Sequence, residues 1–175
     1  MSTTLQMPSQ FAPTPSQLAV AYSVCRGITR ARAKNFYYGF LVLPKRKRRA
    51  LCAVYAFMRR CDDIADDPSL SFAERRQKLD TWLDAFHAAQ AGHPTDEPIL
   101  LALTDAQRRF AIPVGLLDAL AYGTAMDVEE TREIGLQVQY RDFEDLERYC
   151  YNVASVVGLV CIRIFGYDNP AARAV

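Results

Sequence analysis

The stretch Tyr55-Ala-Phe-Met-Arg59-Arg60-Cys-Asp62-Asp63-Ile-Ala-Asp66-Asp67 holds the densest chemistry in the chain. An α-helix turns by about 100° per residue, so positions 55, 59, 62 and 66 fall within a stripe of roughly 60°. One face then carries a phenol, a guanidinium and two carboxylates in line. Asp62 and Asp66 stand one turn apart, where like charges destabilise a helix. A hard divalent cation with oxygen ligands offsets that repulsion. Mg²⁺ commonly takes one or two protein carboxylates and completes its shell with water and substrate phosphate. Arg59 is placed to hold the same phosphate by a charge-assisted bidentate contact. The competing reading is a solvated acidic helix end, capped by ion pairs from Arg59 and Arg60.

The elements that must position these groups read as helices. Leu18, Ala19, Tyr22 and Cys25 are spaced for a helix over about 16–31, followed by a short irregular stretch. Pro44 suits the first turn of a long helix, because its missing N–H would be unpaired there anyway. That helix runs through ALCAVYAFMRRCDDIAD and should stop near Pro68. Ser71, with Glu74 after it, makes a capping-box pattern for a helix to about Gln90. AGHPTDEP reads as a loop, and further helices are expected at about 97–110, 114–130 and 142–165. Strand alternation, Asn-Gly hairpins and internal repeats are absent from the sequence. The expected architecture is all-α, as a single domain over 18–175. Residues 1–17, rich in Ser, Thr, Pro and Gln, read as a flexible N-terminal arm.

Charge is unevenly spread. Residues 1–60 hold eleven Lys or Arg and no acid, whereas 61–175 hold ten basic and twenty acidic side chains. A block of one sign points to an anionic partner: nucleic acid, membrane surface or a phosphorylated small molecule. The five cysteines form no CxxC pair and sit among apolar residues, which suits reduced thiols and a cytoplasmic location. No apolar run reaches the length of a membrane span. His87 and His93 lack partners at ligand spacing. The run Lys45-Arg-Lys-Arg-Arg49 reads either as a solvated face or as a patch for nucleic acid or lipid headgroups. It falls at a helix start, where cations are unfavourable and an anion would bring relief.

The strings NFYYGFLVLP and RRALCAVYAFMRRCDDIADD resemble the opening region of squalene, dehydrosqualene and phytoene synthases. YCYNVASVVGLV resembles a later tyrosine segment of the same family, and the likeness spans about residues 20–168. It implies a helical isoprenoid-synthase-type bundle around a central cavity. The implied activity is Mg²⁺-dependent head-to-head condensation of two farnesyl or geranylgeranyl diphosphates to squalene- or phytoene-type hydrocarbons. Asp62 and Asp66 would hold Mg²⁺, with Asp63 a weaker ligand. Arg59, Tyr55 and Tyr149 match catalytic positions, Tyr149 lying beside the developing carbocation. Lys34, Asn35, Phe36, Val153 and Val156 match substrate-lining positions, with a plain surface lysine the alternative at Lys34. NADPH enters only where the product is squalene. Asp127 is either near the metal chemistry or in a helix-end ion pair. The partner is a prenyl diphosphate and not nucleic acid, and any contact with the inner membrane face is peripheral.

Three departures stand out. Asn35 replaces a Ser usual in relatives, and Ser155 replaces a Gly where approach is close. The family's second aspartate motif has no counterpart before Val175, and Asp142 to Asp145 does not replace it. The chain is therefore expected to be the N-terminal portion of a longer enzyme, with little activity alone. The alternative from another class is a non-catalytic helical module whose basic third engages nucleic acid or anionic membrane. Against nucleic acid, the long helix carries Leu51, Val54, Tyr55, Phe57 and Met58, which suit burial rather than base contacts. A chain-elongating or cyclising prenyl enzyme is a third reading, opposed by the tyrosine segment.

Overall fold

The computed structural model describes residues 13–130 and 142–167, with side chains except at 124–130 and 153. Helix α1, Pro15–Arg32, opens with a capping box. The Thr14 hydroxyl accepts from the Gln17 N–H at 3.2 Å, and Gln17 Oε1 accepts from the Thr14 N–H at 2.8 Å. Pro15 to Gln17, expected within the arm, thus form the first turn of α1. Thr14 of that arm is the N-cap, and its residues 1–12 lie outside the described residues.

The irregular stretch expected after α1 is instead a second helix, α2, Lys34–Leu41. It is set off from α1 only by Ala33, whose φ of −135° and ψ of 60° leave helical geometry. Four aromatics and Gly39 argue against helix by propensity. Packing overrides that preference: α2 rests on α1 and α3, with Phe40 against the core.

Helix α3, Lys45–Ala65, is the centre of the fold. Pro44 stands at its N-cap, one position before the first turn, and Asp66 at its C-cap. Ala50, Ala53 and Ala56 are buried along it, small enough for neighbouring helices to approach closely. α4 (Phe72–Gln90), α5 (Pro98–Phe110) and α6 (Val114–Glu130) follow. The segment expected as one helix over 142–165 is α7 (Phe143–Cys150), a π-helical turn (Tyr151–Ser155) and α8 (Val156–Phe165) without interruption.

α3 touches α1, α2, α4, α5, α6 and α8, so its apolar face is the core of the molecule. Phe57 is fully buried, 5.0 Å from Phe86 and 6.1 Å from Trp82 by ring centroids. Each such side chain contributes about 1.5–3 kcal/mol through burial. The all-α class expected from the sequence holds among the described residues. None of their helices is long and apolar enough to cross a membrane.

Candidate functional site

The last two turns of α3 bring together Tyr55, Arg59, Asp62 and Asp63, and Asp66 follows at the C-cap. The packing that buries Phe57, Cys61 and Ile64 turns this polar stripe outward. Arg59 forms an ion pair with Asp63, and Arg32 from the end of α1 reaches the same carboxylate at 3.4 Å. Arg32 had no signal in the sequence, because its partner lies on another helix. Burial raises the Tyr55 phenol above its ordinary range, with Arg59 opposing and Asp62 reinforcing the shift. The hydrogen bond to Asp63, against the cost of burial, raises Arg59 further and keeps it charged.

The four aspartates are sorted by their surroundings. Asp63 is held by arginines. Asp67 Oδ1 accepts from the Ser69 N–H at 3.0 Å and the Ser69 hydroxyl at 2.6 Å, which closes the turn after α3. Asp62 is half-buried on the stripe, and Asp66 is exposed. The expected capping by Arg59 and Arg60 is half right. Arg60 instead lies over the Trp82 ring, 5.9 Å from its centroid.

Two observations bear on what this end of α3 can hold. The Arg59 Nε is buried and has no hydrogen-bond partner, so the guanidinium keeps a donor for an incoming acceptor. Among the described residues no group of three or more His, Cys, Asp or Glu converges as a metal site. A pair such as Asp62 and Asp66 still fits Mg²⁺, which completes its shell with water and phosphate. A groove of about 520 Å³ opens beside the cluster, between α1, α3 and the start of α5. Arg32, Arg59, Asp63 and Glu97 are among its walls; Asp62 and Asp66 are not.

The remaining expected residues are more scattered. Lys34, Asn35 and Phe36 occupy the first turn of α2 and are exposed. Tyr149 is half-buried in the last turn of α7. Val156 was expected on the same face as Tyr149, but it is fully buried in the core. The π turn explains the difference: the Val156 N–H bonds to the Tyr151 carbonyl, taking one extra residue into the turn. That residue rotates everything after it by about 100° relative to an unbroken α-helix. The side chains of Val153 and Asp127 lie outside the described residues. His87, without a partner by sequence spacing, meets Asp118 of α6 at 2.8 Å, an exposed pair between helices. His93 lines a separate groove with Asp96 and Arg108.

Fold and site together define an all-helical bundle whose central helix ends in carboxylates beside an arginine with a spare donor, an arrangement for a cation–anion pair. Comparison with known proteins narrows this class. Residues 29–175 match the squalene/phytoene synthase family. The chain is 38% identical over 162 residues to a phytoene synthase of Mycobacterium tuberculosis, covering 89% of this chain and 48% of that one. It is 35% identical over 157 residues to a phytoene synthase of Arthrospira platensis, covering 90% and 48%. The crystal structure of a squalene synthase from Alicyclobacillus acidocaldarius superposes with a TM-score of 0.74 at 30% identity, over 91% of this chain and 57% of that one. The chain belongs to the squalene/phytoene synthase family, and it spans about half the length of the curated relatives it matches.

Proposed function

We propose that this chain supplies a diphosphate-binding wall of a Mg²⁺-dependent prenyltransferase that joins two prenyl diphosphates head to head. The observation that carries the reading is Arg59: charged, half-buried, with Nε unpartnered, one turn from Asp62. Its relatives are named phytoene synthases, which supports prenyl diphosphates as the substrate class.

Asp62 and Asp66 would hold Mg²⁺, which neutralises charge on a departing diphosphate. Asp63 is a lesser ligand, since Arg59 and Arg32 already claim it. Arg59, with Lys34 from α2, donates to diphosphate oxygens and stabilises the leaving group. Loss of that group leaves an allylic cation, which the double bond of the second substrate attacks. Tyr149 offers an aromatic face to the cation, and Tyr55 supports Arg59 from one turn away. Asn35, Phe36 and Val153 line the prenyl chain. Val156 backs that wall from the core. NADPH is required only where the product is squalene. The free thiols fit a reducing cytoplasm.

Titration calorimetry with a thiolo analogue of farnesyl diphosphate, which binds without ionising, tests the reading. Binding should need Mg²⁺ and weaken about tenfold or more in D62N, D66N and R59M, as loss of a charge-assisted contact requires. D67N, whose carboxylate belongs to a turn, should stay within about twofold. Metal-independent binding, or full affinity in D62N, would overturn it.

A further inference from the structure

We propose that the turn joining α2 to α3, with the basic start of α3, docks on an anionic lipid bilayer. The inference is independent of the catalytic reading. Val42 at the turn is 85% exposed, and Tyr38 and Leu41 before it are 67% and 44% exposed. At helical spacing these three side chains fall in an arc of about 100°, so they form one outward apolar tip.

Directly after the tip come Pro44 and five successive cations, Lys45 to Arg49. Arg48 Nη1 donates to the Leu41 carbonyl at 3.3 Å, which holds its charge beside the backbone of the tip. Lys47 is drawn away to the Phe165 carbonyl at 2.6 Å and takes no part. Arg26, Lys45, Arg48 and Arg49 line one concavity of about 250 Å³ between α1 and α3, and no carboxylate is in its lining. Among the described residues, Arg26, Lys45, Arg46 and Arg49 form no ion pair. Asp105 in the adjoining groove is already taken, by the Tyr22 hydroxyl at 2.8 Å and by Arg109 at 2.6 Å.

An unneutralised cationic surface attracts an anion, and the adjacent tip decides which kind. Apolar side chains gain nothing against a nucleic-acid backbone, whereas a bilayer interface accepts them beneath phosphate headgroups while the cations stay at the surface. The charge and the exposed apolar area therefore match one partner together.

Flotation of the 175-residue chain with vesicles tests this. The chain should float with phosphatidylcholine vesicles holding roughly one third phosphatidylglycerol, and barely with phosphatidylcholine alone. Each cation near such a surface contributes about fivefold, so K45E/R46E should lower partitioning at least about twentyfold. V42D, at a position with no core packing, should lower it about tenfold without changing the melting curve. Wild-type partitioning by either variant overturns the proposal. So does tighter binding to duplex DNA than to anionic vesicles.

Discussion

The carboxylates that flank the proposed Mg²⁺ ligands Asp62 and Asp66 serve the protein itself. Asp63 neutralises Arg59 and Arg32, and Asp67 ties down the turn with Ser69. The i, i+4 spacing of Asp62 and Asp66, and of Arg59 and Asp63, was legible in the sequence because helical period alone sets it. Arg32 was not legible, since it reaches Asp63 across two helices. The cysteines divide in the same way. Cys25 and Cys61 are fully buried, and burial pushes both thiols up to about 12. A raised thiol pKa favours the protonated form, so at pH 8 about one molecule in ten thousand carries a thiolate at either site. Cys150 is exposed. Mass spectrometry after brief iodoacetamide treatment at pH 8 should find Cys150 modified and Cys25 and Cys61 untouched until the chain is unfolded. Early labelling of Cys61 would mean that the α3–α4 core opens readily.

Helix α3 carries charge at both ends in the sense opposite to what its macrodipole favours. Cations crowd its N-terminus, and aspartates close its C-terminus with no basic residue in the last turn. Each misplaced charge costs about 0.3–1 kcal/mol where exposed, so counter-ions at both ends stabilise the helix. Arg75 of α4 supplies one, donating to the Ala65 carbonyl at 2.9 Å. Element boundaries were legible where a local device sets them, as with Ser71 and Glu74 opening α4. They were not legible where packing or an inserted residue decides, as with α2 and the π turn. The α4 cap is therefore a local test. In it the Ser71 hydroxyl accepts from the Glu74 N–H at 3.3 Å while Glu74 Oε2 accepts from the Ser71 N–H at 2.8 Å. Ser71→Ala should cost about 1 kcal/mol. A thermal scan by circular dichroism should show the midpoint falling about 2–4 °C. The hydrogen bonds from Ser71 lower the Glu74 pKa, so its share of stability is present at neutral pH and lost as pH falls through that lowered value. The gap between S71A and wild type should narrow on the acid side. A gap that widened in acid would show that Glu74 does not reinforce the cap.

At the scale of the molecule, one helix unites the fold. The all-α class was legible from the lack of strand alternation, but the central place of α3 follows from its contacts with six other helices. Phe57 is wholly enclosed by that arrangement, against Trp82 and Phe86 of α4. Replacing it by alanine leaves a cavity that the surrounding helices cannot fully close, at a cost of about 3–5 kcal/mol. Domains of this kind hold only about 5–15 kcal/mol in all, so F57A should lose a large share of its stability. Trp82, the one tryptophan in the chain, stacks on Phe57 and reports on this site directly. Urea unfolding can then be followed by tryptophan fluorescence at the α3–α4 contact and by far-ultraviolet circular dichroism over all helices. In the wild type both signals should move together, because the helices share the core cluster around α3. In F57A both midpoints should fall together by more than about 1 M, given a slope of about 1–3 kcal/mol per molar urea. A fluorescence transition that ran ahead of the helical one would show that α4 unfolds separately, and that α3 does not organise the whole chain.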